Sequence, residues 1–316
     1  MKTITVIGAG IVGLTSALKL QEKGFAVTLL SKEDVCQTLS SKVGAIWFPF
    51  EVHPKEKANT WASLAYTEYQ NDCVPGNGVS FIPFMTSYGP ESNTDWTTRL
   101  PKGTVRKAES HELPSGISAA FVATVPLAEP LLYLPYLLNL FTSRGGTFIQ
   151  KPIASFQDPD LNSDLIVNCT GLGAKALCQD EDLHPMRGQI LRCKKLAVPS
   201  CADSIKKGAL SYVINRSTDS VVGGTDYDQD WNLDVDPNDT QLIVDRLISG
   251  GLAEKQPEIL EEIVGLRPKR SEVRFEFDAV QRNLFHNYGH GGAGFTVAWG
   301  CAIELAEIVA SGATEN

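Results

Sequence analysis

Apolar positions recur along this chain in two rhythms. Residues 3–7, TITVI, form an unbroken β-branched run, the pattern of a strand covered on both faces in a parallel sheet. After the six residues GAGIVG the spacing lengthens: Leu14, Ala17, Leu18 and Leu20 fall at helical intervals until Gly24, which predicts a helix with a glycine stop. FAVTLL follows as a second strand, completing a βαβ unit. DLIVNCTGLGAKAL, from Asp164 to Leu177, predicts another buried strand and then a helix. Later, GALSYVIN and DSVVGGTDY alternate apolar with polar residues, as antiparallel strands joined by short turns do. PNDTQLIVDRLISGG predicts an amphipathic helix capped by Asn or Asp ahead of Thr240. EPLLYLPYLLNLFTSRGG predicts a very apolar helix with an internal proline, bracketed by Glu129 and Arg144 and therefore placed in a core. No internal repeat appears.

The totals narrow the classes. With 316 residues, 43% of them apolar, the chain has room for two domains. A formal charge of −9 argues against a nucleic-acid partner. No apolar run was found of about 18 residues, the length that spans a bilayer. The first residues lack the regions of a signal peptide, and SGATEN carries no C-terminal targeting tripeptide. Seven cysteines (36, 73, 169, 178, 193, 201, 301) show no CxxC spacing and read as reduced thiols. The expectation is a cytoplasmic protein with no membrane or nucleic-acid partner. His53, His111 and His184 lack metal-ligand spacing, and no metal is expected.

Chemistry enters with GAGIVG. Gly8, Gly10 and Gly13 have the spacing GxGxxG between a strand and a helix. Such glycines make a tight turn, admit a pyrophosphate and let helix and strand pack, while the helix N-terminus faces the phosphates. Ile11 and Val12 complete this expected dinucleotide contact. The second strand should end in an acid for the ribose hydroxyls, yet Ser31 and Lys32 stand there, with Glu33 and Asp34 later. Ser31 suits one hydrogen bond and Lys32 a phosphate. The missing acid weakens NAD as the ligand. A second glycine-rich stretch, HNYGHGGAGFTVAWG, has glycines at 289, 291, 292, 294 and 300.

Together with SSKVGAIWFPF (Ser40 to Phe50), NCTG, MRGQI, GLRPKR (Gly265 to Arg270) and VIGAGIVGL, this stretch resembles the D-amino-acid oxidase family of FAD-dependent amine oxidases, almost end to end. The resemblance implies FAD held without a covalent link and oxidative deamination of an amino acid by O2. It implies cofactor contacts at Ser40, Ser41, Gly44, Ala45, Ile46, Thr170 and Gly171, and an adenine contact through the Ile153 backbone. Gly291, Gly292 and Gly294 would lie along the isoalloxazine ring. A helix from about Phe295 to Val309, with Val297, Ala298, Cys301, Ala302 and Leu305 inward, would aim its N-terminus at the pyrimidine edge, with Thr296 adding a hydroxyl. The fold implied is α/β: a Rossmann-type FAD-binding domain with a doubly wound parallel sheet, plus a mostly antiparallel substrate-binding domain. Motif positions make the first discontinuous, at about 1–50, 130–190 and 265–316, leaving 51–129 and 191–264 to the second.

On the substrate side, Arg267 matches the family's carboxylate-binding arginine, the alternative being a surface charge beside Lys269 and Arg270. Tyr212 matches a carboxylate-binding tyrosine, and the Gly292 carbonyl an acceptor for the substrate amine. His286 and His290 read as structural hydrogen-bonding groups. Better-known members carry a second tyrosine on a lid; CADSIKKGAL has none and is shorter, so a small or absent lid is expected. Ala293 stands where the family shows Tyr. Asp226, after GGT, stands where D-aspartate oxidases tend to have arginine, which favours neutral or basic D-amino acids, although Arg216 offers a distal cation. A D-aspartate oxidase and a glycine or secondary-amine oxidase remain as alternatives of the same fold. A nicotinamide-dependent dehydrogenase and a flavin protein without turnover are further alternatives. Substrate and O2 are the expected partners, and a homodimer fits the resemblance.

Overall fold

TITVI becomes the strand Thr3–Ile7, buried at every position after Thr3. The computed structural model describes residues 2–48, 52–92, 94–114, 116–159, 161–203 and 210–312. Pro49, Phe50 and residues 204–209, which hold most of the expected short lid, lie outside the described residues. The chain divides into two compact units: Met1–Val79 with Ala128–Pro185 and Arg267–Asn316, and Ser80–Leu127 with Met186–Leu266.

In the first unit Thr3–Ile7 pairs in parallel with Ala26–Ser31 on one side and Leu165–Asn168 on the other. Thr147–Gln150 extends the parallel sheet beyond Ala26–Ser31, and Leu284–His290 beyond Leu165–Asn168. From Lys269 to Phe277 the long strand Ile259–Phe277 then pairs antiparallel with Leu284–His290. Helix Ile11–Glu22 packs against Gly294–Ser311 and Pro130–Ser143, and Lys55–Asn71 packs against Gly294–Ser311. At Gly300 the approach is between backbones: a Cβ there would fall 2.2 Å from the Trp61 carbonyl oxygen.

Two apolar helices differ from their reading. Pro130–Ser143 was expected inside a core, yet it buries only one stripe, including Tyr133, Leu134, Leu137 and Phe141. Leu131 and Leu132 stay 56% and 48% exposed. Gly294–Ser311 is long and apolar enough to cross a membrane by length and composition, although no such run was expected; 56% of it is buried among its neighbours.

The second unit is mostly antiparallel. Ser211–Asn215 lies between Cys201–Asp203 and Asp219–Gly223, and the latter pairs with residues 190–194 of the strand His184–Lys194. Helix Pro237–Ser249 covers this sheet, with Ile243, Val244 and Leu247 packed on Leu191, Val213 and Val222. Asp236 caps it by accepting from the Asn238 N–H at 2.8 Å. The alternation of the two strand runs does not become a wet face: Asp219–Gly223 is buried throughout, and its one charge, Asp219, is held by Arg216 at 2.6 and 2.7 Å. MRGQI gains a structural reason here. Arg187, 2% exposed, reaches Asp239 at 2.7 Å and the carbonyls of Asn232 and Asp234 at 3.0 and 2.8 Å, tying the loop ahead of the helix to its first turn.

Candidate active site

Each glycine of the first turn answers to a different neighbour. Gly8 has φ +108°, and a Cβ on it would lie 2.3 Å from the Cys169 carbonyl oxygen. A Cβ on Gly13 would lie 1.7 Å from the Gly8 carbonyl oxygen, so nothing larger lets the helix start so close to the strand. Gly10 faces Ser40, whose Oγ would be 2.8 Å from its Cβ. The Ile11 N–H donates to that same Oγ at 3.1 Å, which brings Ser40 to the helix N-terminus. Val12 is half-buried, and its carbonyl accepts from Ser16 Oγ at 2.7 Å.

Ser41 does not join Ser40. Its hydroxyl lies 2.7 Å from the Cys36 carbonyl and 2.8 Å from that of Thr38, and its N–H donates to Thr38 as well. Its polar groups lock their own turn, which leaves that side chain no hydrogen for a phosphate. Gly44, Ala45 and Ile46 are buried; Ala45 has φ +52°, with its carbonyl accepting from the Ala128 N–H at 3.0 Å. Ser31 is buried at the end of its strand, and its carbonyl accepts from the Lys151 N–H at 2.8 Å. Two residues on, the Ile153 side chain packs on the cluster of Ile7, Leu30, Leu161, Ile166 and Leu284. Lys32 is 78% exposed, 4.0 Å from Glu33.

The second glycine stretch separates into three uses. Gly289 has φ +88°, and a Cβ on it would press the Arg270 side chain at 3.0 Å. Gly300 serves the contact with Trp61. At Gly291, Gly292 and Gly294 a Cβ would meet nothing closer than 3.5 Å. Gly291 has φ +53° and donates to the Pro268 carbonyl at 2.9 Å. Gly292 is exposed, and its Cβ position lies 3.6 Å from Arg267 Cδ and 4.0 Å from Nε. Gly294 opens the helix beside Ile11, whose Cγ2 would touch its Cβ at 3.5 Å. Two helix N-termini therefore start side by side, each with amide N–H groups that lack intrahelical acceptors.

Thr296 is a second difference. Its hydroxyl donates to the Phe48 carbonyl at 2.8 Å and accepts from the Phe48 N–H at 3.2 Å, at 2% exposure. The expected extra donor is thus bound to backbone. Phe295 is buried, and its carbonyl accepts from Tyr69 at 2.9 Å. Thr170 and Gly171 follow the strand end at Asn168, and a Cβ on Gly171 would touch Pro268 at 3.9 Å. In the first unit the neighbours thus run in a closed circuit, from Ser40 to Gly10 and Ile11, Gly294, Gly292, Arg267 and Pro268, Gly171, Thr170 and back to Gly8. Sequence separation hid this circuit, although every motif in it was visible.

Arg267 and Arg270 have different surroundings. Arg270 is paired with Asp180 at 2.9 Å and Asp182 at 3.7 Å, while the Arg267 stem runs along Gly292. Both histidines are buried. His286 bonds Asp278 at 3.0 Å; burial lowers its pKa, against the pull of that carboxylate. His290 lies 3.7 Å from Cys301, and burial pushes its pKa down to about 4. In the second unit Tyr212 stands opposite Gly223, its ring filling the place of a Cβ there, with Cζ at 2.1 Å and the hydroxyl oxygen at 2.3 Å. Asp226 is exposed.

The bare approach at Gly10 and Gly13, Ser40 at the helix end, and the exposed Gly292 fit a dinucleotide whose ring meets main chain. Residues 3–308 match the family described as FAD dependent oxidoreductase. The chain belongs to that family. FAD is its cofactor, and the chain is an oxidoreductase of the expected α/β class. Among curated proteins it is 32% identical over 310 residues to a D-amino-acid oxidase of Rubrobacter xylanophilus, covering 96% of this chain and 94% of that one. It is 33% identical to a D-amino-acid oxidase of Streptomyces coelicolor, covering 96% of each. A D-aspartate oxidase of Homo sapiens is 28% identical, covering 97% and 94%. Among solved structures, glycine oxidase from Bacillus cereus superposes with a TM-score of 0.80 at 14% identity, covering 99% of this chain and 95% of that one. L-proline dehydrogenase from P. horikoshii does so at 0.79 and 16%, covering 99% and 94%. The D-amino-acid oxidase resemblance read from the motifs therefore stands.

Sequence reasoning passed over Asn168 and Phe48. Asn168 had a signal in NCTG, one residue before the strand gives way to the turn. Phe48 had none.

Proposed function

We propose that this chain is a D-amino-acid oxidase, converting neutral and, secondarily, basic D-amino acids and O2 to 2-oxo acids, ammonia and hydrogen peroxide. The observation that carries this reading is Arg267 alongside Gly292, next to the exposed glycine run that opens a helix. Bound FAD supplies the acceptor for the hydride that leaves the substrate Cα. The protein's share is placement. The Arg267 guanidinium takes the substrate carboxylate through two parallel hydrogen bonds. The Gly292 carbonyl accepts from the amine, a contact that needs no side chain. The N-terminus of Gly294–Ser311 and its amide N–H groups favour negative charge beside them. His286 and His290 do not serve as bases, since Asp278 and Cys301 face them in buried sites, and loss of hydride from a neutral amine needs no strong protein base.

We assign FAD to the first unit, through Gly8, Gly10, Ile11, Val12, Gly13, Ser40, Thr170, Gly171, Gly291 and Gly294. Tyr212 is assigned as a substrate contact in the second, on the resemblance. The side-chain preference rests on Arg216, whose guanidinium is already paired with Asp219 and so is a poor partner for a distal carboxylate, and on the negative Asp226. The test is anaerobic mixing of the yellow holoenzyme with single amino acids. Bleaching by neutral D-amino acids but not by their L forms, with one peroxide per turnover in air, is the expected result. Fastest turnover on D-aspartate would overturn the side-chain assignment, and no bleaching by any D-amino acid would overturn the function.

A further inference from the structure

Asn168 ends the strand Leu165–Asn168 and is wholly buried. Its Oδ1 accepts twice from Thr170, from the N–H at 3.2 Å and the hydroxyl at 2.7 Å. Its NH2 therefore faces the other way, where it meets Nδ1 of His286 at 3.2 Å and Cys178 Sγ at 3.3 Å. An amide NH2 can only donate, so Nδ1 must accept and the ring proton sits on Nε2, which donates to Asp278 Oδ2 at 3.0 Å. We propose that His286 is a positioning residue for FAD: through Asn168 it holds the Thr170–Gly171 turn, and a proton taken up on Nδ1 releases that turn. The inference rests on the proposed role of Thr170 and Gly171 at the cofactor.

A proton on Nδ1 would aim N–H at NH2. To relieve this, Asn168 must turn its oxygen toward His286; the bond from the Thr170 N–H is then lost, and the Thr170 hydroxyl must turn from donor to acceptor. Gly171, held at φ +56°, then loses the anchor that precedes it. The groups around His286 are few. Asp278 lies beyond Nε2, Glu276 stands opposite in register, and Arg274 reaches Asp278 at 3.5 Å and Tyr288 at 3.0 Å. Cys178, from the short helix Ala174–Cys178, puts its sulfur 3.9 Å from Nδ1. The Phe156 and Tyr288 rings pack edge-on at 6.3 and 5.6 Å, and Asp180 accepts from the Tyr288 hydroxyl. Burial, with Arg274 assisting, lowers the His286 pKa against Asp278 and Glu276.

The sign follows. The clasped turn requires neutral His286, so FAD affinity is full above the ordinary histidine value of about 6.5. It is lost as pH falls through the lowered value, by at most about tenfold per pH unit for one proton.

The experiment is equilibrium dialysis of the holoenzyme from about pH 8 to about pH 5, with free FAD read by its fluorescence. Wild type should show a dissociation constant that rises toward the acid end by more than about twofold, steepening as pH falls. His286→Gln keeps an acceptor that cannot become charged, so its constant should stay flat within about twofold. Asn168→Asp keeps the oxygen that accepts both bonds from Thr170 and draws the proton onto His286, so it should be flat too. A wild-type slope surviving in His286→Gln would overturn the clasp, and that variant decides alone if Asn168→Asp does not fold. Thr170→Val separates the premises: a weakened constant supports the turn as a cofactor contact. An unchanged constant removes that contact and the inference with it.

Discussion

In the proposed function, turnover depends on Arg267. Its stem lies in ordinary contact distance of Gly292, so truncation removes a guanidinium without opening the backbone cradle. Arg267→Ala should lower kcat/KM by about 100-fold, the loss of about 3 kcal/mol expected for charge-assisted hydrogen bonds to one carboxylate, while FAD content stays at wild-type level. Steady-state kinetics beside the flavin spectrum measures both. Gly223 is a second single-atom case. An added methyl would coincide with the Tyr212 ring, so Gly223→Ala should displace that ring and raise KM several-fold with FAD retained. At this scale glycine was easier to interpret than hydroxyl. Gly8, Gly10 and Gly13 carry their reason in their spacing, whereas Ser41 and Thr296 show a hydroxyl in the sequence but not its acceptor. The acceptors, Cys36, Thr38 and Phe48, are fixed only by the folded turn.

Among elements, helix Gly294–Ser311 is gripped from two sides, by Ile11–Glu22 and Lys55–Asn71. Its apolar stripe was legible because helical spacing repeats it, and Val297, Ala298, Cys301, Ala302 and Leu305 are all buried. The purpose of Gly300 was not legible, because the element that needs it close, around Trp61, is more than two hundred residues away in sequence. Gly300→Ala should cost about 1–3 kcal/mol, as overpacking at a rigid backbone contact does. A lower unfolding midpoint in denaturant, with an unchanged slope, is the expected reading. The helix Pro130–Ser143 shows the limit of composition: so apolar a segment reads as core, yet only one stripe is buried, against helix Ile11–Glu22 among others, and Leu131 and Leu132 remain outside.

For the molecule as a whole, the residues proposed to frame the cofactor lie as far apart in the chain as Gly8 and Gly294. A ligand touching all of them restrains the chain over most of its length. FAD should therefore raise the melting temperature in proportion to the logarithm of its concentration, corresponding to about 2.7 kcal/mol at one hundred times the dissociation constant. Differential scanning calorimetry at several FAD concentrations checks this; a midpoint indifferent to FAD would contradict the shared cradle. The parallel sheet was readable from its β-branched runs, since each run announces itself locally. Which stretches close the circuit was not, because adjacency across the sheet is a property of strand order.

The touch between Gly294 and Ile11 also sets a clock for synthesis. A ribosome adding about 5–20 residues per second needs on the order of 15–60 s to travel from the first glycine turn to the second. Throughout that interval the nascent βαβ unit exists without its distal helical partner. On the proposed contacts, flavin capture must wait until the residues up to Gly294 have been made.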